Sequence, residues 1–454
     1  MFRAALLLAF ALALEPSADA APLPGRKPHN ATAGMANTQE AIRRYRRNER
    51  VRMLHGSGQI PEVTMEFWKE VTTGPDKGPT LIIAAAAGEG APGSAASYIS
   101  NFARFGIEMV SHRMPPSRTR ALRSRLPRSP VHGGQTFLPI YGASCPDLVD
   151  DPVILELVRE AHAIYFSGGM PGQLQGCLYG INGNIEEGLT VPQGFSTPIL
   201  DLILDKQVVG GDSAGLMAQP TGAYLTGIFP HDGATLIGGA YCPTGNMGLR
   251  APADPFIAHS HFSERGQQGP QLVAQWQEGE RIGAGFDEAL AGYYFEESGD
   301  ILMVADANDP TLRGTWIFEL IDGSEEGQEG DVHMVVSGEA WNARSNVRVR
   351  NPAYRDCSGE GALPEPSDRI FSFSNNPLRG IALQVARAPA GTSLRNTDTG
   401  PAGDFVELVM TVTEATVAFC DDNNEVVGFE FLNFRQARLG KREPRPSTTH
   451  FKGW

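Results

Sequence analysis

A hydroxyl becomes a nucleophile when the backbone lifts it clear and a base takes its proton. The stretch Gln207-Val208-Val209-Gly210-Gly211-Asp212-Ser213-Ala214-Gly215-Leu216-Met217 has the residue types for the first requirement. Two valines suit a short buried strand. Gly-Asp-Ser-Ala-Gly suits a sharp corner, and Leu216-Met217-Ala218 starts a helix. This is a G-x-S-x-G elbow, in which glycines flank the serine because a β-carbon there would clash. A helix N-terminus beside the serine would offer free N–H groups to an oxyanion.

The second requirement is a base with an orienter. His261 lies in Ile257-Ala258-His259-Ser260-His261-Phe262-Ser263-Glu264-Arg265 and is a candidate base. Asp287 or Glu288, in Gly283-Ala284-Gly285-Phe286-Asp287-Glu288-Ala289-Leu290, is a candidate orienter. Each also has an ordinary structural reading, as a core histidine or the start of a helix. His259-x-His261 has no nearby partners for a metal, and none of the five cysteines stands in a C-x-x-C pair. Neither a metal nor a cofactor is expected.

The elements that must position these residues alternate between strand and helix. Arg50–Leu54, Thr80–Ala86, Ile107–Val110, Ala163–Phe166 and Val208–Val209 read as strands. Glu62–Glu70, Ala95–Phe105, Pro152–Ala161 and Phe195–Leu204 read as helices. The fully apolar Thr80–Ala86 run suits a parallel strand covered on both faces. The expectation is a doubly wound α/β sheet over residues 48–320, with the site outside the carboxyl ends of its strands. Three Gly-rich strand ends share that edge: Gly56-Ser57-Gly58, Gly168-Gly169 and Gly210-Gly211. The acidic run Asp322–Asp331 reads as a linker to a mostly β domain over 321–454, with Ile370–Phe373 and Ile381–Val385 among its strands.

Composition bounds the class. With 454 residues, 41% apolar and 20% charged, the chain suits a globular protein of two or more domains. A net charge of −14 argues against nucleic acid and anionic membrane as partners. Arg3, the 11-residue apolar run Ala4–Leu14 and Ala18-Asp19-Ala20 read as a signal peptide over 1–20. That run is short of the roughly 20 residues a spanning helix needs. The expected location is secreted or periplasmic, with residues 21–47 as a flexible lead-in. An odd number of cysteines leaves at least one thiol unpaired.

The order of these stretches resembles the serine-peptidase family that includes cyanophycinase and aspartyl dipeptidase. The resemblance runs through Met53–Gly58, Thr80–Ala87, Ile164–Gly169, Val209–Gly215, His261–Arg265 and Ile282–Glu288. It implies a class I glutamine amidotransferase-like fold, with Ser213 as nucleophile, His261 as base and Glu288 as orienter. It further implies oxyanion donors at the backbone of Gly169 and Ala214. The substrate side departs from the family. Met170-Pro171-Gly172 delays the usual glutamine to Gln173. Gln267 and Pro270 stand where further arginines are usual, leaving Arg265, with His259 as a weaker, pH-dependent stand-in. The implied substrate is cyanophycin or another β-linked aspartyl peptide. The alternatives are an aspartyl or isoaspartyl dipeptidase and a silent binding protein on the same fold. A homodimer is left open.

Overall fold

The computed structural model describes residues 29–72, 77–109, 131–132, 135–138, 145–180, 196–220, 224–225, 241–242, 256–305, 313–324, 327–362, 377–399 and 405–438. The signal-peptide reading and the Ile370–Phe373 strand therefore lie outside the described residues.

The architecture is mixed α/β, built on two large sheets. The first has ten strands. Its centre is parallel: Val51–His55, Val208–Asp212, Ala163–Phe166, Thr80–Ile83 and Gln135–Leu138 lie side by side in that order. Leu290–Phe295, Asp300–Ala305, Ala340–Asn342 and Val347–Val349 extend it antiparallel from Val51–His55.

Alternation along the parallel strands explains why both faces are covered. Leu81, Ile83, Ile164, Phe166 and Val209 point into one core, with helices Pro152–Glu160, Pro171–Leu178 and Pro198–Leu204. Ile82, Ala163, Tyr165 and Val208 point into the other, with Val63–Thr72 and Ala91–Arg104. Successive side chains of a strand face opposite ways, so each short apolar strand feeds two cores. Asp151 caps the first of these helices, accepting from Val153 N–H at 2.8 Å, with Pro152 in the first turn.

The second sheet has nine strands. It opens with the parallel pair Phe256–Ser260 and Ile282–Phe286, joined through helix Gln268–Glu278. Gly314–Gly323, Gly327–Val336 and Val426–Arg438 then continue it antiparallel.

Four expectations change. The lead-in over 21–47 is in part a helix, His29–Arg46, because Ala41, Ile42 and Tyr45 are buried against the first sheet and Arg44 pairs with Asp300 at 2.8 Å. No boundary falls near residue 320: Gly314–Gly323 and Gly327–Val336 pair as a hairpin across the acidic run, and Phe262, Leu272 and Trp316 share a core with Leu378–Phe434 residues. Ile381–Val385 is helical, within Pro377–Ala386. Leu378, Ile381, Ala382 and Val385 fall on one helical face in that core. Of Ile107–Val110, the described residues contribute a single bridge, Met109 to Thr80. Two disulfides form, Cys145–Cys177 and Cys357–Cys420.

Candidate active site

The site is assembled where the two sheets meet. Ser213 follows the Val208–Asp212 strand and opens the short helix Ala214–Met217. Its backbone sits at φ 49°, ψ −110°. A non-glycine residue there costs on the order of 1–3 kcal/mol, tolerated where the surroundings impose it. The surroundings are tight. A β-carbon on Gly211 would come within 2.7 Å of the Gly215 backbone, and one on Gly215 within 2.6 Å of Phe166 Cβ. The steric reading of the elbow glycines is thus visible as clearance.

Ser213 Oγ is 2.9 Å from His261 Nε2. His261 Nδ1 is 2.5 Å from Glu288 Oε1. His261 leaves the second sheet directly after Phe256–Ser260, and Glu288 follows Ile282–Phe286. These two strands are parallel neighbours, so their carboxyl ends deliver imidazole and carboxylate side by side.

A common brace holds the three loops. The His55 carbonyl accepts from Ser213 N–H at 3.1 Å. The Gly56 carbonyl accepts from His261 N–H at 3.0 Å, and the Ser57 carbonyl from Ala289 N–H at 2.7 Å. Three consecutive carbonyls thus register nucleophile, imidazole and carboxylate. Sequence reasoning took His55–Gly58 only as a glycine turn. Its signal was its place at the end of the strand that borders both the elbow strand and Leu290–Phe295.

The neighbouring carboxylates have separate fates. Asp287 is fully buried. Its oxygens accept from Ser263 N–H at 3.0 Å, Ser263 Oγ–H at 2.6 Å, Trp316 Nε1–H at 3.1 Å and Gly314 N–H at 3.2 Å. Arg379 lies 3.6 Å away. Glu288 alone meets the imidazole.

Electrostatics favour a neutral imidazole and an ionised carboxylate. Burial lowers the His261 pKa, outweighing the Glu288 hydrogen bond that raises it. For Glu288, burial works upward, but the His261 hydrogen bond and the charges of His261, Arg265 and Arg313 leave it below the usual carboxylate value.

Of the oxyanion candidates, Ala214 sits at the start of the elbow helix and Gly169 in the Gly168–Gly169 turn. Neither N–H donates to an acceptor among the described residues. Gly169 has φ 140°, and a β-carbon there would meet Ala86 O at 2.1 Å, so this turn requires glycine. The turn abuts the nucleophile: a β-carbon on Gly168 would lie 3.3 Å from Ser213 Cβ.

The substrate candidates divide. Gln173 is half-buried in the first turn of Pro171–Leu178, two residues beyond the break at Met170-Pro171. Arg265 N–H donates to the His261 carbonyl at 3.0 Å, and its guanidinium acts electrostatically on Glu288 and Asp212. His259 is not brought to the site as a cation. It is 2% exposed within the second sheet, and burial pushes its pKa down to about 4, so it is neutral near pH 7. The expected stand-in for an arginine does not fit these surroundings.

No family model matches this chain, and no curated protein matches it. Among solved structures, a peptidase from an acI-B1 Actinobacterium is similar over 57% of this chain and 88% of its own, at 22% identity and a TM-score of 0.34. A likeness of that size carries no weight for fold or mechanism. Among the described residues, no helix is long and apolar enough to cross a membrane, and no group of three or more His, Cys, Asp or Glu side chains could hold a metal ion.

Proposed function

We propose that the chain is a serine-type peptidase in which Ser213 attacks an amide carbonyl. One observation carries the reading: an unbroken hydrogen-bonded series from Ser213 Oγ through His261 to Glu288, starting on a positive-φ elbow. His261 Nε2 takes the hydroxyl proton as the Ser213 Oγ–carbon bond forms. Glu288 holds the ring through Nδ1 and stabilises the imidazolium. The Gly169 and Ala214 N–H groups face the developing oxyanion. The imidazolium then protonates the leaving amine as the C–N bond breaks, and water repeats the sequence to release the acyl group.

The substrate proposal rests on the family resemblance. It is cyanophycin or a related β-linked aspartyl peptide, met outside the cytoplasm after signal-peptide removal. A specific observation favours the second reading, a dipeptidase for aspartyl or isoaspartyl peptides. With His259 buried and neutral, Arg265 is the cation nearest this series among the named candidates. A polymer displaying many charges would call for more. The test is mass spectrometry of products after incubation with cyanophycin and, separately, with short aspartyl and isoaspartyl peptides. Release of β-Asp-Arg supports the first reading, and cleavage of the short peptides alone supports the second. No cleavage of either, together with no labelling of Ser213 by a fluorophosphonate, would leave a binding protein.

A further inference from the structure

Asp212, immediately before the nucleophile, has no part in the mechanism above. It is 5% exposed, and its Oδ1 is buried without a hydrogen-bond partner among the described residues. Its Oδ2 accepts from the Tyr98 hydroxyl at 2.5 Å. The Tyr98 oxygen in turn accepts from Gly168 N–H at 3.3 Å. Oδ1 is pressed against the same glycine: a β-carbon on Gly168 would lie 2.6 Å from it. Tyr98 comes from Ala91–Arg104, a helix that otherwise supplies core residues Ala91, Ala95, Ile99 and Phe102. Its ring rests on Tyr165, centroids 5.4 Å apart.

We propose that Tyr98 and Asp212 form a strut that sets the Gly168–Gly169 turn against Ser213, acting as positioning residues for the oxyanion donor at Gly169. Gly169 needs such a device. Its peptide takes a conformation open only to glycine, and glycine has the largest conformational freedom to lose. The neighbouring bonds fix the turn on its outer side, with Ser167 N–H on Ile83 O at 3.1 Å and Met170 N–H on Ala86 O at 2.8 Å. The strut fixes it on the side of the nucleophile. A donor that is displaced by a fraction of an ångström stabilises the tetrahedral state less, so the elbow and the turn must be held to one another.

The inference rests on the serine-peptidase reading, and the test separates the two. Wild-type protein and the Tyr98→Phe, Asp212→Asn and Asp212→Ala variants are compared by the second-order rate of fluorophosphonate labelling at Ser213. Hydrogen–deuterium exchange of the peptide carrying Gly168 and Gly169, and the thermal midpoint, are measured alongside. Tyr98→Phe removes both bonds while keeping the ring. It should slow labelling about tenfold to a hundredfold, short of the roughly 10²–10³ for losing an oxyanion donor outright, and should speed exchange in the turn. Asp212→Ala should do the same, and Asp212→Asn, which still offers Tyr98 an acceptor, should recover most of the loss. Equal labelling in wild type and Tyr98→Phe, or unchanged exchange, overturns the strut alone. Slow labelling accompanied by a matching collapse of the thermal midpoint in Asn and Ala variants alike overturns it too, since that is a packing defect. Wild-type protein that never labels overturns the parent reading, and the exchange measurement still decides whether the strut exists.

Discussion

The carboxyl edges that meet at Ser213 and His261 and the body of the second sheet are built on different terms. At those edges, Ser213, His261 and Ala289 all hold positive φ without being glycine, and two backbone donors meet no acceptor among the described residues. In the second sheet, Val426–Arg438 runs 13 residues and pairs on both sides. There a disulfide joins Cys357 to Cys420, and Phe419 is covered by Arg348 of the first sheet, which stacks on it at 4.6 Å and pairs with buried Glu339. Three of the positive-φ residues and both unmet donors thus stand together where bonds would be made and broken, whereas the long strand carries one such residue, Phe431, and is otherwise held by regular pairing.

The comparison breaks most sharply at the nucleophile. Ser213→Ala should lower turnover on any accepted peptide by about 10⁴-fold or more, with circular dichroism and thermal midpoint little changed. Persistent turnover would remove the edge's claim to chemistry. Glu288→Gln should come next, with a loss of roughly 10³–10⁴ in kcat at near-normal stability, by analogy with other triads whose carboxylate becomes an amide. Asp287→Asn should invert that pattern. Its buried oxygens serve Ser263, Trp316 and Gly314, so the substitution should cost about 2–4 kcal/mol in urea unfolding, with kcat falling far less than in Glu288→Gln. Two adjacent residues would thus separate the two regions. If both variants moved the same quantity, the distinction would fail.

Acid should expose a smaller difference. His261 must be neutral to accept a proton, and its pKa is depressed, so the acid limb of kcat/KM should lie below about pH 6.5. His55, His259 and His333 are buried with pKa values pushed down to about 4. For such depressed values stability is fully present above the unfolded value near 6.5 and is lost as pH falls toward 4. Each imidazole should forfeit at most on the order of 3 kcal/mol over that window. Replacing His333, remote from the elbow, with Gln should flatten the stability loss and leave the acid limb of kcat/KM in place.

How much was legible in the chain follows from range of interaction. The elbow could be read because its logic is local: glycine, serine and glycine within five residues, after two valines. The choice between Asp287 and Glu288 could not be read from their own segment. It is made by Trp316 and Arg379, which claim Asp287 from distant parts of the chain. His259 looked like a pH-dependent stand-in for an arginine because further arginines usual in the family the chain resembles are missing here. Its burial comes from sheet pairing with Ile282–Phe286. Ile381–Val385 looked like a strand because five residues are too few to separate a period of two from one of 3.6, and Leu378 supplies the missing turn. The acidic run near residue 325 looked like a linker by composition, whereas its glycines serve a hairpin. Gly330, for one, leaves no space for a β-carbon beside Glu319 O.

The three carbonyls of His55, Gly56 and Ser57 have a mechanical implication. Hydroxyl and imidazole ride on separate slabs, and this short rail, together with the apolar core the slabs share, keeps them in step. Anything that lets one slab slide on the other, whether warming, an inserted side chain or a ligand wedged at the junction, would silence the protein while each slab stayed whole. Inactivation should then run ahead of melting, and the gap between the two temperatures would gauge the stiffness of the rail.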